Sequence, residues 1–122
     1  MAQHNQSGKQ GEEEAARFLQ LKGYDIWETN WRYHPYEIDI IARDGNYLVI
    51  VEVKTRSTRD WEHPKDAITK GKIKFLCRAV EAYIDLHDLD MEVRFDIVSV
   101  IGWGDTFEIE HITEAFHPEV NC

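Results

Sequence analysis

The sequence predicts an α/β domain of element order αβββαβ with a small extra strand, and three observations carry that prediction. Apolar residues recur at helical spacing in two places, near the start and between about 66 and 87. Between and after them lie apolar runs of strand length, at about 24–31, 37–43, 47–54 and 91–101. Two of these runs are joined by Asp44-Gly45-Asn46, a strong hairpin signal. With 122 residues, 43% of them hydrophobic, the chain suits one domain with a real core. That domain is expected over 8–116, with flexible tails at 1–7 and 117–122.

Ser7 and Gln10 read as a capping box, and Ala15, Phe18 and Leu19 give the first helix its apolar stripe up to Lys22. Gly23 ends it. YDIWETNW alternates as a strand should, and Arg32 to Tyr36, containing Pro35, reads as a loop. In the second helix Ile73, Leu76, Val80, Tyr83 and Ile84 form the buried stripe. MEVRFDIVSVI makes the next strand, GWGD a turn, FEIEHI a short last strand, and the tail after Phe116 is expected to fray.

No apolar stretch approaches the roughly 20 residues that cross a bilayer, and the polar start MAQHNQSGKQGEEE is unlike a signal peptide, so a cytoplasmic location is expected. Cys77 and Cys122 form neither a disulfide framework nor a metal knuckle and read as bystanders, Cys77 as a small core residue. Net charge is −9, yet the segment Lys54 to Arg78 is +5 and the remainder −14. A chain so polarised has a directed field, with its basic end just after the central hairpin.

Register makes that hairpin unusual. With Gly45-Asn46 as the turn, paired residue numbers add to 91, so Ile38, Ile40 and Ala42 oppose Val53, Val51 and Val49 on one apolar face. Asp39 then opposes Glu52, and Glu37 opposes Lys54, on the other face beyond Ile41, Leu48 and Ile50. Two carboxylates at the edge of a buried region repel, and one takes up a proton unless a cation lies between them. A hard divalent ion such as Mg²⁺ takes oxygen ligands of this kind, with Lys54 placed to hold a phosphate or polarise water. The plainer reading is a structural ion network in which Lys54 pairs with Glu37 and Glu52.

At Asp39…Glu52-x-Lys54, on adjacent strands after a helix and a strand, the sequence resembles the PD-(D/E)xK nuclease superfamily. More closely it resembles the small bacterial UPF0102, or YraN-like, family. The matching pieces are Gly8-x-x-Gly11-Glu12-x-x-Ala15, Phe18-Leu19-x-x-Lys22-Gly23-Tyr24, Asn30-Trp31-Arg32, Glu37 to Ala42 and Val51 to Arg56. Ala67-Ile68-Thr69 with Lys72, and Arg94 to Val98, continue the series, which spans about Gly8 to Phe116. The resemblance implies a three-layer restriction-endonuclease-like fold, a mixed sheet flanked by two helices. It also implies a Mg²⁺ or Mn²⁺ dependent endonuclease acting on DNA, structured or branched DNA included. Asp39 and Glu52 would be metal ligands, Lys54 the catalytic lysine, and Glu12 and Glu37 supporting acids. One such domain has one site, so cutting two strands would take a homodimer. Tyr36 stands where the family has glycine. The alternative reading is a nucleic-acid-binding protein with this fold and no meaningful turnover.

Glu12 falls along the buried stripe of its helix and suits the site, or with Glu13 and Glu14 simply favours the helix N-terminus. Lys70, Lys74 and Arg78 recur at i, i+4 and i+8 as a basic ridge, with Lys72 to one side. With Arg56 and Arg59 they are candidate phosphate contacts, or else a solvated face. Trp61 in the basic loop either stacks on an unpaired base or covers the core. Trp27 and Trp31 read as packing.

Overall fold

Two apolar patterns of opposite period must share one core, and a sheet between helices is how they do it. In the computed structural model, which describes residues 2–56, 68–103 and 106–122, the first helix is α1, Ala2–Leu21. Three antiparallel strands follow, β1 (Asp25–Tyr33), β2 (Tyr36–Asp44) and β3 (Tyr47–Arg56). Helix α2, Lys70–His87, leads into β4 (Glu92–Trp103), which pairs parallel with β3. Strand β5, Thr106–Phe116, returns antiparallel along β4, and the short helix α3, Pro118–Asn121, follows. The sheet order is β1-β2-β3-β4-β5.

One face of the sheet, through Ile40, Ala42, Val49, Val51, Val98 and Val100, packs on Ala15 and Leu19 of α1. The other, through Ile41, Leu48, Ile50, Phe95 and Ile97, packs on Leu76, Ala79, Val80 and Tyr83 of α2. These three layers are the expected ones. Trp27 and Trp31 pack on the α2 side as expected, Trp31 edge-on to Tyr83 at 5.2 Å.

The hairpin register is the expected one, with Ile40 opposite Val51 and Ala42 opposite Val49. Ile38 departs from it. It joins Ile41 and Ile50 on the α2 side instead of continuing the face of Ile40, because the β2–β3 ladder ends at Ile40–Val51.

Other boundaries differ for local reasons. Helix α1 begins at Ala2, so Ser7 lies inside the helix and not at its start. Arg32 to Tyr36 is mostly strand, with only His34 and Pro35 between β1 and β2. Thr69 caps α2, its hydroxyl oxygen accepting from Lys72 N–H at 3.1 Å. Strand β5 runs to Phe116, whose ring stacks on Phe95 at 4.7 Å. The cysteines are not bystanders: Cys77 and Cys122 form a disulfide that ties the residues after Phe116 to α2. No helix among the described residues is long and apolar enough to cross a membrane.

Candidate functional site

The site lies where β2 and β3 part. Beyond Ile40–Val51 the next cross-strand link is made by a side chain, with Val53 N–H donating to Asp39 Oδ2 at 2.8 Å. A carboxylate thus takes the place of a backbone acceptor, and Asp39 is drawn to the seam between the strands. Glu52, on β3, is 8% exposed, and Lys72 Nζ from the first turn of α2 lies 3.9 Å from its Oε2.

Burial and mutual repulsion dominate the electrostatics. Glu52 is pushed from 4.5 to about 7, first by burial and then by Asp39, against the pull of Lys72 and Lys54. Asp39 is also raised, by burial, although the Val53 N–H and the Lys72 charge oppose the rise. Glu12, reaching in from α1, rises to about 7 through burial and the charges of Asp39 and Glu37. Two carboxylates from adjacent strands offer the oxygen type that a hard divalent cation takes as ligand. Among the described residues no three His, Cys, Asp or Glu side chains are grouped to hold a metal. A bound ion would therefore take its remaining ligands from water and substrate, as Mg²⁺ commonly does.

The other expected site residues are distributed unevenly. Lys54 acts on both carboxylates by charge. Glu37 sits half-exposed, 3.5 Å from Arg32 across the β1–β2 pair, so its close partner is Arg32 where Lys54 was expected. A cleft of about 900 Å³ between α1 and the β1–β2 edge is lined by Glu12, Glu37, Arg17 and Arg32 among others. Tyr36 is held against α2, its ring tilted on Phe75 at 5.4 Å. Lys70, Lys74 and Arg78 are exposed along α2, as a ridge requires. Arg56 is engaged within the sheet, donating to Ser99 Oγ at 3.2 Å and lying 3.8 Å from Glu110. Arg59 and Trp61 lie outside the described residues.

Sequence reasoning missed a buried polar network on the α1 side of β4. Asp96, fully buried, accepts from Arg94 at 3.0 and 3.1 Å and from Tyr24 at 3.2 Å, and lies 2.8 Å from His111 Nε2. Arg94 also donates to Asp44 at 2.9 Å and to the Tyr24 hydroxyl. Burial works to raise Asp96, but the hydrogen bonds from His111 and Arg94 outweigh it and hold the carboxyl below its usual range. His111, with its side chain 2% exposed, is thereby a core histidine. The signal was present in Arg94-Phe95-Asp96, two opposite charges spaced to share a strand face.

A mixed sheet between α1 and α2, with carboxylates and a lysine where the β2–β3 hairpin parts beside a parallel neighbour, defines a three-layer α/β protein of the restriction-endonuclease-like type. The chain belongs to the family described as Uncharacterised protein family UPF0102, whose model matches residues 11–100. It is 51% identical over 117 residues to a UPF0102 protein of Flavobacterium psychrophilum, covering 96% of this chain and 98% of that one. A UPF0102 protein of Bacteroides thetaiotaomicron is 49% identical over 118 residues, covering 97% of this chain and 98% of its own length. One from Phocaeicola vulgatus is 45% identical over 120 residues, covering 98% and 99%.

Proposed function

We propose that this protein is a Mg²⁺ or Mn²⁺ dependent nuclease that hydrolyses phosphodiester bonds in DNA. The observation that carries the reading is the Asp39–Glu52 pair, one half-buried and one buried carboxylate raised above their ordinary range where β2 and β3 part, with the charges of Lys72 and Lys54 acting on both. In a structural ion network the cation beside each acid would hold it at or below its ordinary range, whereas burial outweighs Lys72 and Lys54 here and raises both. When bound, a divalent cation would supply Lewis acidity and offset the charge that builds on the phosphate.

The chain's own groups divide the remaining work. Asp39 and Glu52 offer oxygens to the cation, and Asp39 is oriented by the Val53 N–H. Lys54 holds the attacking water or a non-bridging phosphate oxygen. As water bonds to phosphorus, one bridging P–O bond breaks and the departing oxygen takes a proton. Glu12, raised to about 7, is suited to give or take a proton near neutrality, and Glu37 helps to keep it so. The ridge of Lys70, Lys74 and Arg78 would meet the flanking phosphates. Cutting both strands of a duplex, or resolving a branch, would take two copies.

Labelled single-stranded, duplex, flap and four-way-junction DNA incubated with Mn²⁺ test this. Cleavage of at least one substrate is expected, lost in Asp39→Asn, Glu52→Ala and Lys54→Ala. Cleavage that survives in all three comes from a contaminant and refutes the proposal. Tyr36 favours a second reading, a nucleic-acid-binding protein without turnover, because a ring fixed on Phe75 stands directly before Glu37. Metal-stimulated binding of the same substrates, with none cut, would select it.

A further inference from the structure

The four bases of α2 are not equivalent. Lys70, Lys74 and Arg78 are exposed, whereas Lys72 is partly buried and leans over the carboxylates. Its Nζ lies 3.9 Å from Glu52 Oε2 and 5.8 Å from the centre of the Phe75 ring. For both Asp39 and Glu52 it is the strongest nearby cation, ahead of Lys54.

Its place in the helix is also unfavourable on its own. With Thr69 as cap, Lys72 sits in the first turn, and no acid accompanies it there. A cation at that end opposes the helix dipole, so the position is favourable only with an anion close by. Glu52 is that anion. At 3.9 Å the ammonium is outside hydrogen-bond reach, so it offsets charge without being locked in place.

We infer that Lys72 is the resident counter-cation of the Asp39–Glu52 pair, and that it passes to the phosphodiester anion once a divalent ion takes the carboxylates. The inference rests on the metal-dependent reading above and deepens it by separating two kinds of base. An ammonium and a divalent ion repel one another across two shared carboxylates, whereas an arriving phosphate attracts both. Lys72 therefore contributes to nucleic-acid binding only when metal is present. The ridge contributes at all times.

Calorimetric titration of Mg²⁺ into the metal-free protein at pH 8.5, without nucleic acid, tests the first half. Lys72→Gln should bind Mg²⁺ roughly two- to fivefold more tightly, the scale of a partly exposed ion pair, and Lys72→Arg should bind as wild type does. Unchanged or weaker affinity in Lys72→Gln overturns the counter-cation role. Anisotropy with a labelled phosphorothioate-linked duplex tests the second half. Lys72→Gln should weaken binding in Mg²⁺ and not in chelator, while Lys74→Gln weakens it by the same factor in both. An equal loss for Lys72→Gln in both conditions places it on the ridge and overturns the inference. Thermal unfolding of each metal-free variant separates these effects from misfolding. If wild type binds no Mg²⁺, or Asp39→Asn binds it equally well, the metal reading itself fails and takes this inference with it.

Discussion

Glu52→Gln should stabilise the metal-free protein at alkaline pH. Glu52 is 8% exposed, and its carboxyl rises from 4.5 to about 7 because burial and Asp39 oppose ionisation more than Lys72 and Lys54 favour it. A rise of that size corresponds to about 3 kcal/mol of preference for the neutral carboxyl in the folded protein. Because Asp39 shares the repulsion, about 1–3 kcal/mol is expected for the single change. The sign follows from which state loses its proton first. The unfolded chain ionises near 4.5 and the folded one near 7, so stability present below 4.5 is lost as pH climbs through about 7. Glutamine keeps the shape and never ionises. Urea unfolding in chelator should give equal midpoints for the two proteins at pH 4 and a higher one for Glu52→Gln at pH 8. A variant less stable than wild type at pH 8 would mean that the folded protein favours the Glu52 carboxylate, with Lys72 satisfying it as a structural pair, which refutes the reasoning.

Mg²⁺ should raise the melting temperature more at pH 8 than at pH 6, since an ion needs the ionised carboxylates, and Asp39→Asn should remove the effect; equal shifts at both pH values would count against these ligands. Asp96→Ala should cost about 3–5 kcal/mol by urea unfolding, because it leaves Arg94 buried without its carboxylate, and a loss under 1 kcal/mol would show that water replaces it. Gly11→Ala drives a methyl into the Thr55 side chain where α1 crosses β3, for a cost of about 1–3 kcal/mol. Adding Thr55→Ala should recover much of that stability, and no recovery would place the strain elsewhere.

Much of this fold can be read from the sequence because its strongest signals are periodic. The Asp44-Gly45-Asn46 turn with the apolar alternation leaves one workable register, and Ile40–Val51 obeys it. The same logic fails at Ile38, since counting by twos assumes backbone-to-backbone pairing and Asp39 substitutes a side chain there. Strand β5 exceeds its visible pattern because Glu114 adopts positive φ and breaks the alternation before Ala115 and Phe116 bury themselves. Arg94 and Asp96 look solvated when taken singly, and only three-dimensional neighbours, Tyr24 and His111, make them a core. The Cys77–Cys122 bond joins residues whose spacing carries no signal. Of the site, Asp39, Glu52 and Lys54 follow from register and resemblance. The role of Lys72 needs the first turn of α2 to lie beside Glu52, which periodicity does not supply.

The Val53 N–H rests on Asp39 Oδ2, so the carboxylate proposed above as a cation ligand is also a rung of the sheet. Whatever keeps that carboxylate ionised strengthens the rung, and whatever protonates it loosens the seam between β2 and β3. Ligand occupancy and strand breathing are therefore one equilibrium viewed from two sides. The exchange rate of a single backbone amide, that of Val53, becomes a gauge of the site, slowing when a cation is bound and quickening as the acids take up protons.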